Sequence, residues 1–525
     1  MTRTTVVTPP DSTLRSALWL ALAFATGKLL LHIATTLWVR HIGYGYFRDE
    51  FYYLACGRHL AWGYVDHGPI VALQARLSET LFGDSLLGIR MLSAIGGAAR
   101  VFLTGMLCWA LGGKRTAQAL AMLFVITVPI YLGVDSFLSM NSWESMFWMP
   151  CLLALILLLK QGTCAELWWT VFGISAGLGL LNKPSMAFFL VAIAVALLLT
   201  PQRRILFTRQ AAWGIALLTL IALPNLLWQI HNHWPTLEFL HNGRVEGKNT
   251  RLAPLPFVLN QLFVLGPWTA FLWLPGLIRL LRRNEDRWLG LTYILFLTGM
   301  IILGAKDYYV APIYPVLFAA GGVAWQQRFA SRTRVQQNHV IAFPVATITA
   351  LLFFAIALPL SIPVLRPPTF LAYQKALHAP STDTENGPHS ILPQFYADRF
   401  GWQEQVDTIT RIVNQLSPQD RAKVGIFCGN YGEAGALEFL GHNLPPVISE
   451  HNNYWLWGTR GLDAEVMIIN RKTSVEKLSK YYKEVQIVGH VSHPYAMPFE
   501  DHDIYLVRHR KLPLAPDWAE SRFYY

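Results

Sequence analysis

Residues 15–38 read RSALWLALAFATGKLLLHIATTLW, an apolar run in which only Arg15, Lys28 and His32 are ionisable. A helix crossing a hydrocarbon core of about 30 Å needs roughly 20 such residues, so this stretch predicts a membrane span. The pattern recurs near 86–112, 116–133, 138–160, 166–181, 184–200, 210–230, 256–282, 286–304, 307–325 and 339–364. The expectation is therefore a mainly α, polytopic membrane protein with about eleven transmembrane helices. The fifth and sixth runs are short and meet at Asn182-Lys183-Pro184, a helix-breaking junction. Composition agrees, since 53% of the 525 residues are hydrophobic and 14% charged, against roughly 25% charged in an ordinary soluble domain.

The formal net charge of +11 does not point to nucleic acid, because the Lys and Arg fall in short clusters between apolar runs and form no continuous basic face. They set topology instead. Lys114, Arg115, Lys160, Arg203, Arg204, Arg279, Arg282, Arg283 and Arg328 occupy alternate short loops, which the positive-inside rule assigns to the cytoplasm. The long first outer loop holds Arg40, Arg48, Arg58 and Arg76, but long loops weigh less in that rule. With the N-terminus inside, an odd number of spans places the C-terminus outside. Residues 1–14 lack a short apolar core followed by a small-residue cleavage site, so no removable signal peptide is expected. Three of the five cysteines, Cys56, Cys108, Cys151, Cys164 and Cys428, lie in or beside spans, and no paired framework is visible.

At Arg366 the composition changes. Pro367-Pro368 end the last span, dividing the chain into a transmembrane domain, 1–365, and an extracytoplasmic α/β domain, 366–525. In the latter, β-rich runs at 423–428, 465–470, 485–491 and 504–508 alternate with helical patterns at 402–416, 432–440 and 474–483. There is no internal repeat.

The groups fit for chemistry fall on the outer side. Arg48-Asp49-Glu50-Phe51-Tyr52-Tyr53 opens a predicted interfacial helix of the first outer loop. There an aspartate can take a proton from an acceptor hydroxyl while its neighbour orients that group or holds a cation. Equally, two acids favour a helix N-terminus. Tyr64-Val65-Asp66-His67-Gly68-Pro69 leads into a second interfacial helix, 70–81. Asp66 and His67 suit a divalent ion or a phosphate, or simply a turn shaped by Gly68 and Pro69. Asp135, and Glu144 in Ser139-Met140-Asn141-Ser142-Trp143-Glu144, lie close to hydrocarbon, where an ionised group costs about 2.5–3.5 kcal/mol. Lys183, and Lys306 in Ala305-Lys306-Asp307-Tyr308-Tyr309, sit at outer helix ends, able to meet a phosphate or to snorkel.

Taken together, Phe47-Arg48-Asp49-Glu50-Phe51-Tyr52-Tyr53, Tyr64-Val65-Asp66-His67-Gly68-Pro69 and Lys306-Asp307-Tyr308-Tyr309, with Pro312, Tyr314 and Pro315, resemble the membrane glycosyltransferases of the C-type fold. Bacterial relatives of the protein O-mannosyltransferases and of the lipid A aminoarabinose transferase are the nearest in pattern. Asn430-Tyr431-Gly432-Glu433-Ala434-Gly435-Ala436 and Asn453-Tyr454-Trp455-Leu456-Trp457-Gly458 are similar to a bacterial branch of that family.

The resemblance implies a polyprenyl-phosphate-linked sugar donor, a lipid, glycan or protein acceptor, and residence in the bacterial inner membrane. It implies a catalytic role for Asp49, with the adjacent Glu50 as the second catalytic candidate. Phosphate or substrate contacts would come from Arg58, His67, Lys183, Lys306, Tyr308 and Tyr309, although relatives often carry lysine where this chain has His67. A divalent ion is one reading, with Asp66, Glu144 and Asp135 as its candidates, and no other cofactor is implied. The rival reading, a transporter or flippase of a lipid-linked saccharide, predicts internal repeats and midplane charges. A non-catalytic scaffold would have no need of Asp49, Glu50, Asp66 and Lys306 together.

Overall fold

The computed structural model describes residues 11–247, 251–330, 336–379 and 388–525. The first ten positions of the stretch read as lacking a signal peptide lie outside that range. The chain divides into two compact units. One comprises Met1–Leu37, Arg90–Leu227 and Arg251–Val364, and the other Trp38–Ile89, Trp228–Thr250 and Leu365–Tyr525.

Each of the apolar runs is helical. Among the described residues, six helices are long and apolar enough to cross a membrane: Leu14–His41, Leu86–Ala110, Met140–Gln161, Arg209–His231, Asp307–Arg328 and Pro344–Ser361. Two further runs are bent pairs, Ser185–Leu198 with Pro201–Phe207 at 119° and Pro254–Leu265 with Pro267–Arg282 at 93°, which brings the number to eight. The remainder of the eleven expected spans are shorter or less apolar: Arg115–Thr127 followed by Pro129–Val134, Ala165–Asn182, and Arg287–Leu303. Prolines explain the breaks. Pro129, Pro201 and Pro267 each sit in the first turn of the new helix, where a missing N–H costs nothing. The interior of this unit is aromatic, with Trp148 stacked on Phe189 at 4.0 Å and edge-on to Phe296 at 5.0 Å.

The second unit is built on a five-stranded sheet of β1 (Gly425–Cys428), β2 (Val447–Ser449), β3 (Val466–Asn470), β4 (Tyr482–Val491) and β5 (His502–Arg510), in the order β2-β1-β3-β5-β4. Strand β1 pairs in parallel with β2 and β3, while β5 runs antiparallel to β3 and β4. The helices Trp402–Gln415 and Tyr431–Leu440 lie where the periodicity puts them. The helix expected at 474–483 ends at Leu478, because the chain turns into β4 at Tyr482, and the three-residue β2 was not foreseen.

Both helices of the first loop exist, Arg48–Arg58 and Pro69–Phe82. The first is buried from Glu50 to Gly57 and packs on helix Tyr431–Leu440. Two glycines permit that approach. A Cβ on Gly432 would stand 2.4 Å from Arg48 Cγ, and one on Gly435 2.8 Å from Phe51 Cβ. Any larger residue would separate the helices.

Candidate active-site residues

In the second unit the two first-loop motifs meet the two C-terminal motifs. Asp49 lies in the first turn of helix Arg48–Arg58, its side chain 29% exposed, and its Oδ1 accepts a hydrogen bond from the Tyr431 hydroxyl at 2.9 Å. Arg48 Nε is 3.8 Å from the same oxygen, and its Nη1 is 3.8 Å from buried Asp398. Glu50 is fully buried and turns back on its own helix, accepting the Phe47 N–H at 2.8 Å. That is the bond of an N-terminal capping glutamate. Fourteen residues past Tyr52, Asp66 Oδ1 accepts the Tyr52 hydroxyl at 2.8 Å. Burial and the neighbouring Asp66 hold the Tyr52 phenol well above its ordinary pKa, so it stays a donor.

His67 is buried against the Tyr64 ring at 4.6 Å, with Tyr52 and Tyr53 edge-on. Its Nδ1 bonds the Gly68 carbonyl at 2.8 Å. A carbonyl only accepts, so the proton is on Nδ1, and burial lowers the imidazole pKa and keeps it neutral. Arg58 reaches Glu79 at 2.6 Å and the Glu438 carbonyl at 3.2 Å, over the Phe439 ring. Its charge is thus already engaged within the unit. Asn453, from the second C-terminal motif, accepts the Val65 N–H at 2.7 Å and so fixes the turn that carries Asp66.

In the first unit a second group forms where three turns meet. Lys183, at the C-cap of helix Ala165–Asn182, donates to Asn141 Oδ1 at 2.8 Å and to Glu144 Oε2 at 3.2 Å. It lies over the Tyr309 ring at 4.1 Å and near that of Tyr308 at 5.6 Å. The Ser185 hydroxyl donates to the other Glu144 oxygen. Glu144, Asn141, Tyr308, Tyr131 and Arg100 line one small cavity. Half-buried Lys306 precedes the short helix Asp307–Ile313, whose first carboxylate accepts from the Asn260 amide.

Asp135 is buried and ion-paired. Arg100 Nη1 donates to both its oxygens at 2.9 and 2.7 Å, with Lys28 Nζ at 3.4 Å and His32 Nε2 at 3.9 Å. Asp135 and Glu144, both candidates for a metal, therefore face cations of the protein. Among the described residues, no three His, Cys, Asp or Glu side chains are grouped to hold a metal ion. Lys28, His32 and Arg100 received no role from the sequence because they sit inside apolar runs, although an ionisable group inside such a run is itself the signal. Tyr431 and Asn453 stood in recognised motifs, but nothing local to them names their partners.

Residues 66–228 match the family model described as dolichyl-phosphate-mannose-protein mannosyltransferase. The lipid A galacturonosyltransferase RgtD of Rhizobium johnstonii is 27% identical over 285 residues, 51% of this chain and 59% of that protein. Undecaprenyl phosphate-alpha-4-amino-4-deoxy-L-arabinose arabinosyl transferase 1 of Pseudomonas fluorescens is 25% identical over 165 residues, 31% of this chain and 29% of that one. The matched region thus spans less than two thirds of either relative. Among solved structures, ArnT from Cupriavidus metallidurans, both apo and bound to undecaprenyl phosphate, superposes with a TM-score of 0.57 at 14% identity, over 92% of this chain and 98% of that one. This chain is accordingly a multi-pass membrane protein that shares the fold of ArnT, and part of its sequence is similar to the dolichyl-phosphate-mannose-protein mannosyltransferase model and to lipid A sugar transferases.

Proposed function

We propose that this protein is a glycosyltransferase of the bacterial inner membrane that moves a hexosyl or pentosyl group from a polyprenyl-phosphate donor to an extracytoplasmic lipid, glycan or protein acceptor. The chemistry is a single displacement with inversion. The acceptor hydroxyl loses its proton to Asp49, its oxygen bonds to the anomeric carbon, and the bond from that carbon to the phosphate oxygen breaks to release the polyprenyl phosphate. The leaving group needs positive charge more than a general acid, because the developing charge lies on phosphate oxygens. Lys183 and Lys306 are the cations assigned to it. Glu144, Asn141 and Ser185 hold Lys183 in place, and Tyr308 and Tyr309 flank its ammonium.

The observation that carries the reading is the state of Asp49. It is a partly exposed carboxylate at a helix N-terminus that accepts a hydrogen bond from the Tyr431 phenol, so an acceptor hydroxyl can reach it. The names of the relatives supply the donor class. Asp49→Asn in the full-length protein should lower transfer from a polyprenyl-phosphate sugar in membranes about 100-fold or more, with expression and unfolding temperature unchanged. Turnover at the parent rate would remove Asp49 from the mechanism.

The C-terminal segment is assigned to the outer side by the distribution of Lys and Arg. A cysteine introduced at exposed Lys483 should then react with a membrane-impermeant maleimide in intact spheroplasts. Labelling only after lysis would invert the topology.

A further inference from the structure

We propose that Tyr431 is a positioning residue for Asp49, and that Tyr431 and Tyr52 form a stacked donor pair through which the C-terminal motif holds the two loop carboxylates. The inference rests on Asp49 being the base. The two rings stack with centroids 4.5 Å apart and planes 26° apart, and each hydroxyl bonds a different carboxylate, Tyr431 to Asp49 at 2.9 Å and Tyr52 to Asp66 at 2.8 Å. The other side of Tyr431 meets His451 at 4.7 Å. The Tyr431 N–H donates to His451 Nδ1 at 3.4 Å, so the imidazole proton is on Nε2, which bonds the Tyr525 carbonyl at 2.7 Å.

The helix that carries Tyr431 is itself fixed at its start. Asn430 caps it through the N–H groups of Gly432 and Glu433 at 2.8 and 3.0 Å, and Gly432 and Gly435 let it close on helix Arg48–Arg58. These contacts hold the Tyr431 ring between Tyr52 and His451, with its hydroxyl on Asp49. A hydrogen bond to an ionised carboxylate is short and directional and favours the charged form. A phenol does this without placing a further full positive charge beside the base.

Asp49 is also faced by Arg48 from its own helix and by His67 from the following turn. Arg48 in turn interacts with Asp398 and Glu500. Of these groups, Tyr431 is the one whose hydroxyl can be deleted while its ring stays stacked.

The test is the pH–rate profile of the full-length enzyme with Phe at position 431. Tyr431→Phe keeps the ring and removes the donor, so Asp49 ionises at higher pH and the acid limb of kcat should move up by about one pH unit, with kcat at its optimum reduced about tenfold. Incorporating 3-fluorotyrosine at 431, a stronger donor of nearly the same shape, should move the limb the opposite way. A residue that merely packs would shift neither. Unmoved limbs in both proteins overturn the inference, and the fluorotyrosine protein alone decides it should the Phe variant not fold. If Asp49→Asn remains active, the assignment of the base fails instead, so the two failures are told apart.

Discussion

Asp135 in the first unit and Asp49 with Asp66 in the second are all carboxylates held by named donors, but the donors differ in kind. Asp135 is fully buried and carries Arg100 on both oxygens, with Lys28 close by. Asp49 and Asp66 are partly exposed, and each has a tyrosine hydroxyl on one oxygen. The reason is solvation. In a membrane-spanning bundle no water helps to carry a charge, so a carboxylate there needs protein cations at contact. Near water a neutral donor is enough to orient a carboxylate. The first arrangement pairs a buried charge, and the second is the one proposed above to take the acceptor proton.

Breaking the ion-paired centre should have the larger effect. Arg100→Met leaves Asp135 with only Lys28 and His32 beside it and should cost about 3–5 kcal/mol, read as loss of folded protein in detergent and a lower unfolding temperature. Adding Asp135→Leu to that variant should recover part of the loss, since an apolar replacement for a buried pair is often tolerated. If Arg100→Met unfolds at the parent temperature, the contrast between the two centres is wrong.

A smaller effect sharpens the comparison from the other side. Glu433 and Glu500 are buried and share the Asn430 amide at 2.9 and 3.3 Å. Burial raises both acids, Glu500 to about 7. Because the folded pKa lies above the unfolded one near 4.5, the folded state holds more protons between those values. The contribution of Glu500 to stability should therefore be lost as pH rises from about 4.5 to 7. Glu500→Gln should flatten that slope in thermal unfolding measured from pH 5 to 8, and an unchanged slope would assign the dependence to other groups.

Much of this was legible in the sequence because hydrophobic length and turn chemistry are local properties. The apolar runs are helical, and β1, β3, β4 and β5 fall within a few residues of the β-rich stretches. What stayed hidden depends on partners distant in sequence. Strand β2 has three residues, too few for a periodicity to show. Glu50 reads as a second catalytic carboxylate by type, and only its contact with the Phe47 N–H shows the capping role. Asp135 was noted for its cost near hydrocarbon, yet its partners lie 107, 103 and 35 residues away along the chain, too far for any local pattern to pair them.

The bond between Asp49 and Tyr431 spans 382 positions of sequence. At about 5–20 residues per second, a ribosome needs roughly 20–75 s to add the second residue after the first. During that interval the membrane helices insert while the first loop has yet to receive its partner motif. On the reading advanced above, catalytic competence is then reached only late in synthesis, and a chain released early would already be embedded in the bilayer but unable to align its base.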